Sequence, residues 1–289
     1  MSDEKVDQFS FGESIGRAFY GKTIADALQQ AQVYDKDNDN KGHIASLPEI
    51  FHARVMSLEN SFVCTNWFTA MSEEIVGTTQ SGSKLLVVEH GGGIFSTHER
   101  IRKIERRGLI NGAGRLSQRD FNNLLNGKLP DGKEIPVYSY ADFIDQGNLP
   151  RKYGIILDFD RIKSIQSGLN DIDSLYENPL IIARAGGQEQ AREYLDKVKQ
   201  IYQEKDLRLY HPFQRVDASK AQGRVLFVGC EINFYGNSGL DADGRFIWVQ
   251  KSAESGAKTL VHSLEKCLDL TDQPKTVCIV VSSQSLLYK

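Results

Sequence analysis

The chain has 289 residues, of which 40% are hydrophobic and 25% are charged, and its 35 basic and 38 acidic residues give a formal net charge of −3. This composition is typical of a folded globular protein and excludes a disordered or fibrous one. The charge balance gives no general attraction to nucleic acid or to an anionic membrane, and no apolar stretch approaches the roughly 18 residues of a spanning helix. The start, MSDEKVDQFS, is acidic and polar, unlike a signal peptide. We therefore expect a soluble, cytoplasmic protein whose partners are small molecules or other proteins.

Cysteine usage indicates the same compartment. The cysteines lie far apart and form neither a CxxC pair nor a Cys/His spacing suited to zinc. A disulfide framework is also disfavoured, because such frameworks use closely spaced cysteines in short secreted chains. We predict no metal site at these residues, which are Cys64, Cys230, Cys267 and Cys278.

The first third of the chain has a helical pattern. Over residues 12–33, apolar side chains recur mostly at helical intervals, until the polar run at residues 35–40 interrupts them. A second pattern begins at Ser46 and carries apolar side chains at similar spacing as far as Ile75. The sequence thus predicts a helical N-terminal region over residues 1–80.

Serine caps mark four helix starts along the chain. At the first two, a glutamate three residues further on completes a capping box. The last two fall in residues 109–147, a segment rich in Gly, Asn, Asp and Ser that predicts a partly irregular excursion over the surface. The four caps are Ser46, Ser96, Ser117 and Ser139.

From residue 84 onward the pattern changes to short apolar runs, each followed by glycine or a turn, which are typical of buried strands. Helical stripes lie between them, most clearly in QEQAREYLDKVKQIYQ and over residues 260–268. We therefore predict an α/β or α+β fold, with a mixed sheet and flanking helices over residues 81–289, either as a second domain or continuous with the first. The predicted strands are LLVV before Glu89, YGIILDF from Tyr153, PLIIA from Pro179, RVLFV from Arg224, RFIWV from Arg245 and VCIVV from Val277.

The segment KLLVVEHGGGIFSTHERIRKIERRGL is the first candidate for a binding site. Its strand pattern ends in Gly91, Gly92 and Gly93, and a helix follows. Glycines let backbone amides approach a ligand, and the free amides and dipole at a helix start favour a phosphate or carboxylate. Arg100 belongs to a run of basic residues on that helix. The segment therefore predicts a site for a nucleotide or another phosphorylated ligand.

A second basic junction lies at Arg184, just before Gly186 and Gly187. In an open α/β sheet, ligands bind at the edge where strands end and the following helices begin. If the strands that end at His90 and Arg184 run parallel, both glycine loops open at that edge. We therefore predict a common pocket that these residues line.

Short motifs in this half of the chain resemble the histidine–tyrosine–glutamate class of ADP-ribosyltransferases. The strand ending in His90 and Gly91, followed by a helix and then Gly108 and Leu109, is similar to the opening of that family. The segment YGIILDFDRIKS, which begins at Tyr153, is similar to the family's second strand and the serine after it. The resemblance covers roughly half of the chain on short motifs.

The resemblance implies an enzyme that transfers ADP-ribose from NAD. His90 would hydrogen-bond the ribose, and Glu231 would stabilise the positive charge on the sugar as nicotinamide leaves. The family's tyrosine position is occupied by Ile156 here, which leaves nearby Tyr153 as the substitute ligand contact. A threonine or serine of the family is replaced by Gly92.

Two other functions remain open from the residues alone. One is a cysteine hydrolase in which Cys64 is the nucleophile and His90 the base, because a thiolate reacts at neutral pH when an imidazole is adjacent. The other is a non-catalytic protein-binding module whose N-terminal segment presents an apolar face. The aromatic residues of that face would be Phe62, Trp67 and Phe68.

Overall fold

A computed structural model describes residues 8–164, 167–202, 206–211, 213, 218–230 and 236–251, all of which belong to one compact unit, Met1–Lys251. Within these residues no helix is both long and apolar enough to cross a membrane. The strands are β1 (Phe9–Phe11), β2 (Ser14–Gly21), β3 (His43–Ile44), β4 (Phe68–Thr78), β5 (Lys84–His90), β6 (Leu109–Ile110), β7 (Ala113–Arg115), β8 (Val137–Ser139), β9 (Tyr153–Asp158), β10 (Gly168–Asp171), β11 (Asp206–Leu209), β12 (Gln222–Val228), β13 (Asn237–Ser238) and β14 (Gly244–Lys251). The α-helices are α1 (Ile24–Asp37), α2 (Leu47–Met56), α3 (Phe62–Thr65), α4 (His98–Glu105), α5 (Gln118–Leu125), α6 (Tyr140–Ile144), α7 (Pro179–Ala185) and α8 (Gln188–Tyr202).

The larger sheet has the strand order β6-β7-β12-β4-β5-β9-β8, and β13 pairs with β12. Its neighbouring strands are antiparallel apart from β8 and β9, which run parallel. β4 and β5 pair from Ser72 opposite His90 to Thr78 opposite Lys84. Residues on both sides of position 80 therefore belong to the same sheet.

A smaller sheet, in the order β1-β2-β14-β3, joins the two ends of the described chain. β2 pairs antiparallel with β14, from Ser14 opposite Lys251 to Gly21 opposite Gly244. α1 packs against both strands. The first long strand of the compact unit therefore pairs with its last strand.

The prediction of a helical N-terminal third is wrong, although helices and a mixed sheet are both present. Strands begin at Phe9, and Ser14–Gly21 forms β2, so only Ile24–Asp37 of the first predicted segment is an α-helix. The strand conformation of β2 depends on its pairing with β14, which lies at the far end of the described chain. Local apolar spacing carries no information about such a distant partner.

The helix predicted from Ser46 to Ile75 ends early for a different reason. Its start is confirmed, since Ser46 and Glu49 form the capping box at α2, but α2 ends at Met56 and the chain later enters β4. Ten of the eleven residues of β4 are buried. A central strand that is buried on both faces lacks the alternation by which a half-exposed strand is identified.

Four of the six predicted strands are confirmed, in β5, β9, β12 and β14, and the stripe in QEQAREYLDKVKQIYQ is confirmed as α8. PLIIA instead forms α7, which Asn178 caps at its start and Gly186 ends with a left-handed φ of 83°. A short apolar run fits a buried helix as well as a buried strand. VCIVV and the stripe at residues 260–268 lie outside the described residues.

Candidate functional site

A cleft of about 1140 Å³ opens between the start of α2, the chain from α6 to β9, and the start of α8. Typical ligand sites measure roughly 300–1,000 Å³, so a small organic ligand fits. Most of the lining side chains are polar or charged. The lining comprises Ser46, Pro48, Glu49, residues 143–144 and 146–151, Tyr153, residues 186–190 and 192–193, and Asp196.

Tyr153, which sequence motifs identified as a ligand contact, lines this cleft. Only 5% of the residue is exposed, and its ring lies 5.1 Å from the His90 ring and 6.4 Å from the Phe143 ring. Burial, and then the charge of Glu49, raise the pKa of its hydroxyl, which therefore keeps its proton at neutral pH. No described residue forms a hydrogen bond with that hydroxyl. The cleft thus contains a nearly buried polar group without a protein partner.

Glu49 contributes a charged carboxylate at the start of α2. Its Oε1 lies 2.6 Å from Nε2 of His43, and its Oε2 accepts hydrogen bonds from the backbone N–H and the hydroxyl of Ser46, both at 2.7 Å. Burial opposes ionisation, but the bonds from His43 and Ser46 outweigh it and lower the pKa of the carboxyl. Glu49 therefore both completes the capping box of α2 and gives this wall of the cleft a negative charge.

The amino terminus of α8 forms another wall of the cleft. The backbone N–H groups of residues 188–190 have no acceptor among the described residues, as the first turn of a helix leaves such donors free. Gly186, two residues before the helix, has a φ of 83°. A Cβ atom on Gly186 would lie 2.8 Å from the Tyr153 hydroxyl oxygen. Glycine at this position therefore allows the hydroxyl to lie against the turn that leads into α8.

Acidic groups outnumber basic groups in the cleft. Four carboxylates face it, against two guanidinium groups. One of the latter, Arg192, lies 3.4 Å from Glu177, which is not part of the lining. A ligand with several negative charges would be repelled there. The carboxylates are Glu49, Glu189, Glu193 and Asp196, and the guanidinium groups are Arg151 and Arg192.

His90, a predicted catalytic residue, is fully buried and does not line the cleft. Its Nε2 donates to the carbonyl oxygen of Ala183 at 2.8 Å, and its Nδ1 accepts from the Ser72 hydroxyl at 2.8 Å. The Ser72 oxygen accepts in turn from the backbone N–H of Leu47 at 2.9 Å. Burial lowers the pKa of His90 to about 4, which keeps the ring neutral as this bonding requires. The resulting chain of bonds links α2, the large sheet and α7.

Arg184, a predicted ligand contact, is equally enclosed. Its Nε lies 2.6 Å from Oε1 of Glu74 and its Nη2 lies 3.0 Å from Oε2, and neither side chain is exposed to solvent. Arg184 follows Ala183 on α7, so the structure does bring it near His90. His90 at the end of β5 and Arg184 on α7 are, however, both buried in the core. Neither residue lines the cleft.

The glycine loop after β5 holds a carboxylate of the protein itself. Glu73 accepts hydrogen bonds from the backbone N–H groups of Ile94 and Phe95, at 2.7 and 2.8 Å. The two backbone N–H groups that follow the three glycines are thus already bonded to a carboxyl group of the protein itself. Residues 91–93 do not line the cleft, whereas residues 186–187 do.

Glu89 lies beside Glu73, because the two residues are partners in the pairing of β4 with β5. Both are buried. Burial raises the pKa of Glu73 to about 7, and burial followed by the charge of Glu73 raises the pKa of Glu89 well above its ordinary value. A Cβ atom on Gly93 would overlap the Glu89 carboxyl group. The loop therefore packs directly onto a buried pair of carboxyl groups whose pKa values are both raised.

The predicted pair of Cys64 and His90 is not assembled. The buried thiol of Cys64 donates to the carbonyl oxygen of Arg54 at 3.7 Å. Both ring nitrogens of His90 are engaged elsewhere. Neither residue offers a reactive group to the cleft.

Of two other predicted site residues, one does not line the cleft and the other lies outside the described residues. Arg100 forms an ion pair with Asp120 at 3.1 Å. It does not line the cleft. Glu231, the predicted catalytic carboxylate, lies outside the described residues.

A second surface feature combines two aromatic rings with an arginine. Tyr20 is 49% exposed, and its ring lies 6.2 Å from that of Trp67. The Arg245 guanidinium lies 5.0 Å from the Trp67 ring centre and 5.7 Å from that of Tyr20. We call this group the Tyr20–Trp67–Arg245 patch. Of the three aromatic residues predicted to form an interaction face, Trp67 belongs to it, whereas Phe68 is buried and Phe62 packs against the core.

Sequence patterns missed most of the cleft. Only the apolar stripe of α8 was identified, Glu49 was identified only as part of a capping box, and residues 146–147 were only the end of the irregular segment 109–147. The available signal was the glycine pair at 186–187, which preceded a helix start.

Among the described residues, no group of three or more His, Cys, Asp or Glu side chains is arranged to hold a metal ion.

No protein-family model and no curated protein matches the chain. A solved structure described as "Accommodation of massive sequence variation in Nanoarchaeota by the C-type lectin fold" does match, with a TM-score of 0.64 and 29% sequence identity. The match covers 83% of this chain and 100% of that one. Over most of its length the protein is therefore similar to a C-type lectin fold.

This similarity corrects the function expected from the short motifs. A nucleotide-binding transferase that uses NAD is contradicted, because the matching structure has a C-type lectin fold. The error arose at the glycine loop after β5, where a strand, glycines and a helix suggested a phosphate site. The Glu73 carboxyl group gives a physical reason, since it accepts the hydrogen bonds of the Ile94 and Phe95 amides directly after the glycines.

Proposed function

We propose that the protein is a non-catalytic binding module whose ligand is a carbohydrate. The observation that carries this proposal is the similarity to a C-type lectin fold over 83% of the chain. The polar cleft beside α8 supports it, because a saccharide offers many hydroxyl groups and few charges. Each hydroxyl both donates and accepts hydrogen bonds, and the cleft wall contains free groups of both kinds.

The state of the two described residues that sequence patterns proposed as catalytic groups, His90 and Cys64, favours binding over catalysis. A general base or a nucleophile must reach its substrate, directly or through one water molecule. His90 is neutral and bonded at both ring nitrogens, and Cys64 is buried against backbone. Neither residue lines the cleft, so neither is placed to act on a ligand held there.

The matching structure is described as accommodating massive sequence variation within its fold. We infer that the exposed residues of the cleft in this protein likewise tolerate substitution. Glu189 and Glu193 are exposed and form no hydrogen bond or ion pair within the described structure. Their replacement would leave the buried bonds of His90 and Arg184 intact, so the ligand preference is free to change while the fold is retained.

The test is a glycan array probed with the full chain, followed by thermal denaturation with each bound saccharide and, separately, with NAD, ADP-ribose and nucleotides. We expect at least one saccharide to raise the melting temperature, since ligand at 100 times its Kd stabilises by about 2.7 kcal/mol. The saccharide should be recovered chemically unchanged after prolonged incubation. Absence of saccharide binding at millimolar concentration, or turnover of any ligand, would refute the proposal.

The Tyr20–Trp67–Arg245 patch favours a second candidate, recognition of a protein. Tyr, Trp and Arg dominate the binding energy of many protein interfaces. A glycoprotein that binds the chain separates the two candidates when it is tested before and after enzymatic removal of its glycans. Binding that survives deglycosylation and is lost in Trp67→Ala supports protein recognition, whereas binding that is lost with the glycans contradicts it.

A further inference from the structure

The donors of the cleft converge at the start of α8. The Tyr153 hydroxyl has no partner among the described residues, and a Cβ atom on Gly186 would lie 2.8 Å from it. The backbone N–H groups of residues 188–190 follow directly and are also free of acceptors within the described chain. The ring of Tyr153 is held by His90 and Phe143. The hydroxyl and the amides are therefore fixed donors before any ligand arrives.

Acceptors lie on the same helix. Glu189 and Glu193 line the cleft, and residues four apart in an α-helix share one face. Neither carboxylate forms a hydrogen bond or an ion pair in the described structure. Vicinal hydroxyl groups of a sugar can thus accept from the first-turn amides and donate to these carboxylates within one cleft.

Charge decides which saccharides the cleft accepts. The dipole at the start of α8 corresponds to roughly half a positive charge. The lining carries four carboxylates and two guanidinium groups, which is an excess of two negative charges. The excess outweighs the dipole, so a uronate, sialylated or phosphorylated sugar is disfavoured relative to a neutral one.

From this arrangement we infer that the cleft is the sugar-binding site and that it takes an uncharged saccharide, anchored by the Tyr153 hydroxyl and the first-turn amides of α8. The inference rests on the proposed function and adds the place and the ligand class. Tyr153 acts as a hydrogen-bond partner of the sugar, and Gly186 keeps it accessible beside the helix start.

The experiment is isothermal titration of the full chain with maltotriose, mannotriose and chitotriose as neutral probes and trigalacturonate as the anionic probe. Tyr153→Phe removes the hydroxyl and keeps the ring that packs on His90. Tyr138→Phe makes the same chemical change outside the cleft and serves as the matched control. We expect Tyr153→Phe to weaken binding of a neutral trisaccharide about tenfold with an unchanged melting temperature, as one lost hydrogen bond predicts.

Amide hydrogen exchange gives a second measurement that does not depend on a variant. A bound neutral sugar should slow exchange at residues 188–190. Equal affinity in Tyr153→Phe and Tyr138→Phe, with no protection at α8, would overturn the inference while leaving the proposed function intact. Equal or tighter binding of trigalacturonate would overturn the ligand class, and failure of every saccharide to bind would overturn the proposed function itself.

Discussion

His90 on β5 donates a hydrogen bond from Nε2 to the carbonyl oxygen of Ala183 on α7, at 2.8 Å, with the ring fully buried. Through Ser72 the same ring also connects to the backbone N–H of Leu47 at the start of α2. The start of α2 lines the cleft, and α7 leads into the lining residues 186–187. The histidine that sequence motifs assigned to chemistry therefore holds the cleft in shape.

We predict that His90→Gln lowers stability at pH 8 by about 2 kcal/mol, because it disturbs two buried hydrogen bonds. Burial lowers the pKa of His90 to about 4, below its ordinary 6.5. Between these values the unfolded chain binds a proton that the folded chain refuses, so wild-type stability falls as the pH drops from 6.5 to 4, by up to about 3 kcal/mol. The variant should lose this slope, as measured by urea denaturation across that range.

Two observations bear on that prediction. His211 is also buried, and its pKa is lowered to about 4, first by burial and then by the charge of Arg184, so part of the acid slope should remain. His52→Gln removes an exposed histidine of α2 and controls for the loss of a histidine as such. An undiminished slope in His90→Gln would show that the ring is not held neutral.

We predict that the buried ion pair of Glu74 and Arg184 contributes much more to the free energy of unfolding than an exposed ion pair does. Arg184→Met removes the guanidinium that faces both oxygens of Glu74, and loss of one partner of a buried pair typically costs about 3–5 kcal/mol. Arg192→Met removes a comparable group from the exposed pair with Glu177 and should cost less than about 1 kcal/mol. Chemical denaturation of the two variants makes the comparison, and equal losses would contradict it.

Glu89→Gln should stabilise the protein increasingly as the pH rises. The pKa values of Glu89 and Glu73 are raised in the folded state, so the stability they contribute is complete below the ordinary pKa of 4.5 and is lost as the pH rises toward and through the folded values. For one group the loss reaches about 1.4 kcal/mol per pH unit. The variant should match wild type near pH 4.5 and exceed it at pH 8, as judged by melting temperature. Glu59→Gln, at an exposed position, provides the control, and a gain that shrinks with pH would refute the prediction.

Gly186→Ala should disturb the start of α8 more than an ordinary glycine substitution. The left-handed φ of 83° costs an alanine roughly 1–2 kcal/mol, and its Cβ would lie 2.7 Å from Pro48 and 2.8 Å from the Tyr153 hydroxyl. Gly82→Ala is the matched control, because Gly82 has a φ of 89° but no atom within 4 Å of the added methyl group. Denaturation midpoints should fall further for Gly186→Ala. A similar fall in both variants would show that packing at the cleft adds nothing to the backbone cost.

The elements that could be predicted were those that local chemistry determines. The capping box of Ser46 and Glu49 and the strands β5, β9, β12 and β14 are confirmed. β2 and β4 could not be predicted, because the first depends on a partner at the far end of the chain and the second is buried on both faces. Of the candidate site residues, Tyr153 lines the cleft, whereas His90 and Arg184 lie behind it.

By itself the sequence determined the helix caps at Ser46, Ser117 and Ser139, although Thr97 rather than Ser96 caps α4, and it determined that the chain folds into helices and sheet. Those properties depend on neighbouring residues. Only the tertiary structure decided which polar groups are free. The backbone amides of Ile94 and Phe95 after β5 are bonded to Glu73 on the neighbouring strand, whereas residues 188–190 at the start of α8 line a cleft that three separate segments enclose. Whether a donor is available to a ligand depends on which acceptors folding brings to it, and contacts between distant residues settle that.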